Sequence, residues 1–354
     1  MSQGESPVIV VIPGDLHLTE STSESHRIAS IVVDEINELV RPDFVQFIGD
    51  NVQDATEAQF RLFDDLRGRL LSVPHFCLVG DHDVHGDPRA EGFRRHVGPT
   101  YGSTSIRGFR FLRLDTQQSR PLGLGAEQVA WFGEEVDRAV AAGEQVVVFQ
   151  HNYPYQVWEN FDGPGVDDWR AVVQTRRVAA ILCGHTHYWQ VANDGRNVAV
   201  AVRSIGDPEG GPPGYAVAYL RGDDLAVTYR GAGDPGPLAL VTHPRDRLLA
   251  TGPRHVVRGP DRVVVRAWSK RRATTARCRV AGAAWFDLEH VGGGEWSGPL
   301  AGDRLPKGEH DLEVEVVDEE GRRGGQAIRF VVDPTGRYTA VPRVHPAVDR
   351  TDFC

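Results

Sequence analysis

Aspartate and histidine recur in this sequence where short apolar runs end: Pro13-Gly14-Asp15-Leu16-His17, Ile48-Gly49-Asp50, Val79-Gly80-Asp81-His82-Asp83, Gln150-His151 and Cys183-Gly184-His185-Thr186-His187. Any one of these has a plain explanation as a cap or a surface turn. Recurrence at five run ends is different, because runs that become neighbouring strands would deliver these side chains to one place. The set contains carboxylates and imidazoles and no thiolate, which suits divalent transition-metal ions such as Mn²⁺, Fe²⁺, Zn²⁺ or Co²⁺. Asp15, His17, Asp50, Asp81, His151, His185 and His187 are too many ligands for one ion and suit two. Two ions about 3.5–4 Å apart can share a carboxylate and clamp a phosphoryl group. Their field also lets an acidic chain bind an anionic substrate.

The elements that must position these residues alternate in type. Val8–Pro13, Phe44–Ile48, His75–Val79, Phe109–Leu114, Gln145–Gln150 and Val178–Cys183 read as strands. Between them, Glu24–Val40 places Ile28, Ile31, Val32, Ile36 and Leu39 on one helical face, and Arg41-Pro42 stops it. Thr56–Leu71 and Ala126–Ala142 follow the same period. Strand–helix alternation predicts a layered α/β domain with its site at the carboxyl ends of the strands. Asn197–Arg203, Tyr215–Leu220 and Leu225–Tyr229 complete it as strands, and the Gly/Pro/Asp-rich stretch 231–237 marks a boundary. Beyond it the helical period disappears, and short alternating runs separated by Gly-rich turns predict a smaller all-β sandwich. The expected division is residues 1–236, 237–334 and a tail, 335–354, that packs as an extended strap or stays mobile.

Composition bounds the function. The chain has 354 residues, 40% hydrophobic and 25% charged, enough apolar material for folded domains, and a net charge of −10. Nucleic acid is therefore not the expected partner. The basic run Arg254–Arg279 holds nine cationic side chains and one acidic one. It reads either as an anion or nucleic-acid patch or, with an acidic run at 309–320 in the same small domain, as one side of cross-strand charge pairing, the favoured reading. The four cysteines are scattered without pairing motifs, so reduced thiols are expected. Neither a basic leader nor an apolar run of about 20 residues is present, which predicts a soluble, cytoplasmic protein.

The ordered series Asp15-Leu16-His17, Gly49-Asp50, Gly80-Asp81-His82-Asp83, His151 and Gly184-His185-Thr186-His187 resembles the calcineurin-like metallophosphoesterases, over roughly residues 8–230. The segment SIGDPEGGPPGY (204–215) is similar to one common in small bacterial members, and the compact size resembles the class III cyclic-nucleotide phosphodiesterase branch. The resemblance implies a four-layer α/β/β/α sandwich, and the second domain resembles an immunoglobulin-like module. It implies that Asp15, His17 and His187 hold one metal, that Asp81, His151 and His185 hold the other, and that Asp50 bridges. It further implies a metal-bound hydroxide attacking phosphorus in line. His82 would be the general acid, its ring oriented by Asp83 or another carboxylate.

One position departs from the pattern. The family has asparagine where Asp81 stands, and a carboxylate there adds negative charge to the site. That favours singly charged phosphodiesters, cyclic nucleotide or aryl/alkyl, over dianionic monoesters. It also leaves room for a phosphomonoesterase, a nucleotide pyrophosphatase, a phospholipid-headgroup hydrolase, or a metal-binding scaffold with a degenerate site. The expected ligand is a small-molecule phosphoester, and a homodimer is left open. Aromatic residues follow two of the motifs: Tyr153, Tyr155, Trp158, Tyr188 and Trp189. They read either as a wall stacking on a base or aryl group or as packing beneath long loops. His85 is close enough to reach the cleft, and residues 159–168 read as a lid or an ordinary loop.

Overall fold

The computed structural model describes residues 6–156 and 161–344. Its first strand, β1 (Val8–Pro13), is buried along its whole length. Val8, Val10 and Ile12 serve one cluster of core residues while Ile9 and Val11 serve another, so an unbroken apolar run is what this position requires. β1 pairs in parallel with β2 (Phe44–Phe47), which pairs in parallel with β3 (His75–Cys77). A second sheet is built from β4 (Gly102–Ile106), β5 (Phe109–Leu114), β6 (Gln145–Gln150), β7 (Val178–Cys183), β8 (Gln190–Asn193) and β9 (Val198–Ala201), in the order β4-β5-β6-β7-β9-β8. The antiparallel pair β10 (Gly214–Arg221) and β11 (Asp224–Gly231) completes the first sheet as β11-β10-β1-β2-β3.

The inner faces of the two sheets share one core, where Phe44 of the first meets Phe111 of the second edge-on with ring centroids 4.9 Å apart. Helices α1 (Glu24–Glu35), α2 (Glu57–Arg67) and the short α3 (Glu91–His96) cover the outer face of the first sheet through Ile28, Val32, Phe60, Phe63 and Phe93. Helices α4 (Ala126–Ala141) and α5 (Val166–Thr175) cover the second through Phe132, Val136, Trp169 and Val172. This is the expected α/β/β/α sandwich. The Ser23 and Thr56 side chains cap α1 and α2, each accepting from the backbone N–H three residues on, at 3.3 Å.

Two expectations about helices change. The first ends its α-helical part at Glu35 and continues to Val40 as a π-helical turn, with Arg41 in the left-handed region at φ 48°. Part of the segment read as a lid or loop is instead the start of α5. Gly165, at φ 83°, begins it, and Phe161 and Val166 are buried beneath it. Its period was carried by Val166, Trp169, Val172 and Val173, but Gly and Pro just before it obscured the start.

From Leu238 onward all strands are antiparallel: β12 (Leu238–His243), β13 (Pro260–Trp268), β14 (Ala273–Val280), β15 (Phe286–Asp287), β16 (Glu289–Gly292), β17 (Glu295–Ala301), β18 (Gly308–Asp318) and β19 (Arg323–Val332). They form two sheets, β12-β13-β17-β16 and β15-β14-β18-β19, around Val263, Val265, Leu312, Val314 and Phe330. The acidic and basic runs pair across strands. Arg277 stands opposite Glu315 and Arg279 opposite Glu313, with nitrogen–oxygen distances of 2.9 Å and 2.7 Å. Arg329 reaches Asp311 at 2.7 Å. Such cross-strand pairs are favourable but weak at an exposed surface.

The described part of the tail is a strap: Arg343 exchanges backbone hydrogen bonds with Asn193 of β8 at 2.6 and 2.9 Å. Cys77, Cys183 and Cys278 are unpaired thiols, and burial pushes Cys77 and Cys278 up to about 12. Among the described residues, no helix is long and apolar enough to cross a membrane.

Candidate metal centre

The parallel strands β1, β2 and β3 end together, as do β6 and β7, and their following loops are stitched to one another. Leu16 and His17 both donate backbone N–H to the Asp50 carbonyl at 2.9 Å. Gly184 donates to the His151 carbonyl at 3.0 Å, and Ile205 to that of Asp15 at 2.8 Å. The motif glycines permit this closeness: a Cβ on Gly80 would lie 2.1 Å from Asp50 Oδ1, and one on Gly184 2.3 Å from Asp15 Oδ1. His17, Asp50, His185 and His187 all adopt left-handed backbone, with φ between 46° and 67°. Each such residue costs on the order of 1–3 kcal/mol, and strain concentrated this way marks a functional site.

Two groups of side chains converge there, each with ligand atoms within 4.8 Å of one another: Asp50, Asp81, His151 and His185, and His17, Asp50 and His187. In the first, Asp81 Oδ1 lies 3.1 Å from His151 Nε2 and 3.0 Å from His185 Nδ1, while Asp50 Oδ2 lies 3.3 Å from His151 Nε2. In the second, the Nε2 atoms of His17 and His187 face each other at 3.1 Å. Donor atoms each about 2.0–2.2 Å from one ion are separated by roughly this much. Asp50 belongs to both groups. Asp15 lies outside both by this measure, but it is fully buried and its Oδ1 has no hydrogen-bond partner among the described residues. A buried orphan carboxylate oxygen calls for a cation or a proton, so these residues fit a pair of divalent ions.

At His151, His17 and His187 the ring nitrogen turned away from the groups faces an oxygen that can set its tautomer. His151 Nδ1 donates to the Ile48 carbonyl at 2.9 Å, His17 Nδ1 to Gln53 Oε1 at 3.0 Å, and His187 Nδ1 lies 3.5 Å from the Asp207 carboxylate. The charges respond to this environment. Burial would raise Asp81, but hydrogen bonds from His151 and His185 hold it well below the usual carboxylate range. Burial disfavours a charge on His151, yet Asp50, Asp81 and Asp15 outweigh it and raise His151 well above its ordinary value. Burial pushes His187 down to about 4, with His17 adding to the effect.

These directions make a prediction for metal uptake. An ion entering the first group must displace the proton that its carboxylates hold on His151. Because that proton is retained above the ordinary histidine range, uptake should release protons near neutrality, and affinity should fall as pH falls. Manganese titrations by calorimetry in buffers of different ionisation enthalpy would show the released protons. An affinity unchanged between about pH 6 and 8 would contradict the expectation.

His82 sits apart from both groups, as expected of an acid. Its Nδ1 donates to the Gln53 carbonyl at 2.8 Å and its backbone N–H to Asp50 Oδ1 at 2.9 Å. The orienting role expected of Asp83 therefore belongs to a main-chain oxygen. Asp83 turns inward, fully buried, and accepts from Asn51 Nδ2, Val52 N and Gly80 N at 2.9–3.1 Å, bracing the loop instead. Burial, reinforced by Asp50, pushes it up to about 7.

A cleft of about 1030 Å³ opens beside Asp81 and His82 and is lined further by His85, Gln117, Arg120 and Leu122. Among the described residues, the aromatics that follow the motifs do not line this cleft. Tyr153 is buried in the core with α4 and α5, Tyr155 packs against the same core and donates to Asp194 at 3.1 Å, and Tyr188 is buried. Trp189 packs on Tyr229, and Trp158 lies outside the described residues. These apolar rings follow the ligands because the loops need packing beneath them. The sequence reading missed residues 117–122. They follow β5, a strand end carrying Asp115, whose carboxylate caps its own loop by accepting from Gln117 N at 2.8 Å. Position after a strand was the one available signal.

The family model for calcineurin-like phosphoesterases matches residues 8–189. The chain belongs to that family. It is a metal-dependent phosphoester hydrolase. It is similar to human tartrate-resistant acid phosphatase type 5, with 25% identity over 54% of this chain and 68% of that protein. It is also similar to a probable glycerophosphodiester phosphodiesterase from Arcobacter nitrofigilis, with 26% identity over 51% of this chain and 72% of that one. Among solved structures, a dimetal phosphatase from Danio rerio superimposes with a TM-score of 0.52 at 15% identity, over 64% of this chain and 96% of that one. A purple acid phosphatase from yellow lupin does so with 0.51 at 16%, over 65% and 52%. At these identities the likeness is one of fold.

Proposed function

We propose that this hydrolase acts on phosphodiesters, with His82 as the group that protonates the leaving alcohol. The observation that carries this reading is Asp81, a carboxylate held ionised at the edge of the roomy cleft it shares with His82. A dianionic monoester would meet that additional charge more strongly than a singly charged diester, and the cleft has space for the second ester substituent. Asp15, His17 and His187 are the ligands proposed for one ion and Asp81, His151 and His185 for the other, with Asp50 shared. When bound, such ions supply Lewis acidity and a water of lowered pKa.

The protein's own part is positioning and proton delivery. With its Nδ1 proton engaged by the Gln53 carbonyl, His82 is left with Nε2 to serve the cleft. In the metal-free protein burial disfavours its charge, but Asp50, the Gln53 carbonyl and Asp81 together raise it. As the phosphorus–oxygen bond to the leaving group breaks, that oxygen takes the Nε2 proton.

The names of the acid phosphatase relatives favour a second reading, monoester hydrolysis. A panel of aryl and glyceryl diesters, cyclic nucleotides, phospholipids and monoesters, each assayed with manganese, zinc and iron, separates the two. We expect diesters to exceed monoesters in kcat/KM by about fivefold, one charge contact being worth on the order of 1 kcal/mol at a partly exposed site. Asp81→Asn should shrink that ratio and change the metal preference. Monoesters favoured by the wild type, or a ratio unmoved by the substitution, would overturn the reading.

A further inference from the structure

We infer that Gln53 is a positioning residue that sets a metal ligand with its side chain and the proton donor with its main chain. The inference rests on the reading of His17 as ligand and His82 as acid. The His17 ring lies between two contacts: Nδ1 is 3.0 Å from Gln53 Oε1, and Nε2 is 3.1 Å from His187 Nε2. An acceptor on Nδ1 keeps the ring proton there, so Nε2 presents its lone pair to the group formed with Asp50 and His187. On the other side, the Gln53 carbonyl is 2.8 Å from His82 Nδ1 and imposes the same tautomer on that ring. The two rings pack edge to face, with centroids 4.6 Å apart and planes at 81°, so a tilt of one displaces the other.

Gln53 is fixed in turn. Its N–H donates to the Leu18 carbonyl at 3.1 Å, and the parallel bridge between Leu18 and Val52 follows His17 directly. The choice of a carboxamide also has a physical sense. Among the other ligand histidines, His151 turns its outward nitrogen to a backbone carbonyl and His187 turns its own toward an exposed carboxylate. A neutral oxygen at His17 orders the ring without adding charge to a group that already contains Asp50.

Gln53→Leu removes the side-chain acceptor and leaves the main-chain carbonyl to His82; Gln53→Glu restores an acceptor. Manganese binding to the metal-free full-length chain would be measured by calorimetry, and stoichiometry by mass spectrometry. The leucine variant should bind one of the two ions about 10–100-fold more weakly while the other is unchanged, and the glutamate variant should bind both at least as tightly as wild type. Gln53→Ala is read the same way if the leucine variant fails to fold. Wild-type affinity for both ions in the leucine or alanine variant would overturn the inference, as would equal weakening by leucine and glutamate. A wild-type chain that binds two ions but hydrolyses no diester would defeat the proposed substrate and leave this result readable. One that binds none would defeat both.

Discussion

Asp50→Ala is expected to leave fewer than two tightly bound metal ions per chain and to lower phosphoester hydrolysis by about 10³-fold or more. The reason lies in its double membership. Among the described residues its carboxylate is the one group common to both clusters of ligand atoms, and it also lies 3.3 Å from His151 Nε2. Removing it leaves Asp15 as the one carboxylate proposed beside His17 and His187, and deprives His151 of the largest influence favouring its charge. The residue also accepts the His82 backbone N–H and holds a left-handed backbone at φ 48°. Asp50→Asn keeps the size and tolerates that backbone, so it isolates the lost charge from any lost shape. Metal content by mass spectrometry and kcat/KM together test the expectation. Two ions retained at wild-type affinity in the alanine variant would remove Asp50 from the centre.

His82→Ala should behave differently: a loss of about 10²–10⁴-fold in kcat with metal content unchanged. Neither group of converging ligand atoms contains His82, and its ring is held by the Gln53 carbonyl. A proton donor matters most when the departing alcohol is a poor leaving group. The loss should therefore be large for alkyl diesters and much smaller for nitrophenyl diesters, whose phenolate departs unaided. Equal losses with both substrates would argue against acid catalysis, and lost metal would make His82 a ligand.

The strand-end pattern survived folding almost intact. Phe109–Leu114, Gln145–Gln150 and Val178–Cys183 are strands with the bounds read from the sequence, because their buried positions are largely apolar and the runs stop where polar loops begin. The charge ladder of the small domain was legible for a similar local reason, since period two puts Glu313 and Glu315 on one face. Helix α5 was hidden by the Gly/Pro run before it, and the role of Asp83 by its position beside His82. Adjacent residues on a tight turn point to different sides, so chain neighbours need not be partners. Asp83 was drawn to three buried N–H donors that lie 3, 31 and 32 positions away.

What the sequence determined by itself was the inventory: seven Asp and His residues at strand ends, a neighbouring histidine outside their pattern, and an aspartate at position 81. Residue type and order carry that chemistry without coordinates. The tertiary structure decided the grouping, because atoms as distant in the chain as His17 and His187 are brought to 3.1 Å by two sheets closing on each other. It also decided what the outward ring nitrogens of His151, His17 and His187 meet: a backbone carbonyl, a carboxamide and an exposed carboxylate. Main-chain acceptors leave no mark on residue type, and for that reason the orientation of His82 and the part played by Gln53 could not be read before the fold was known.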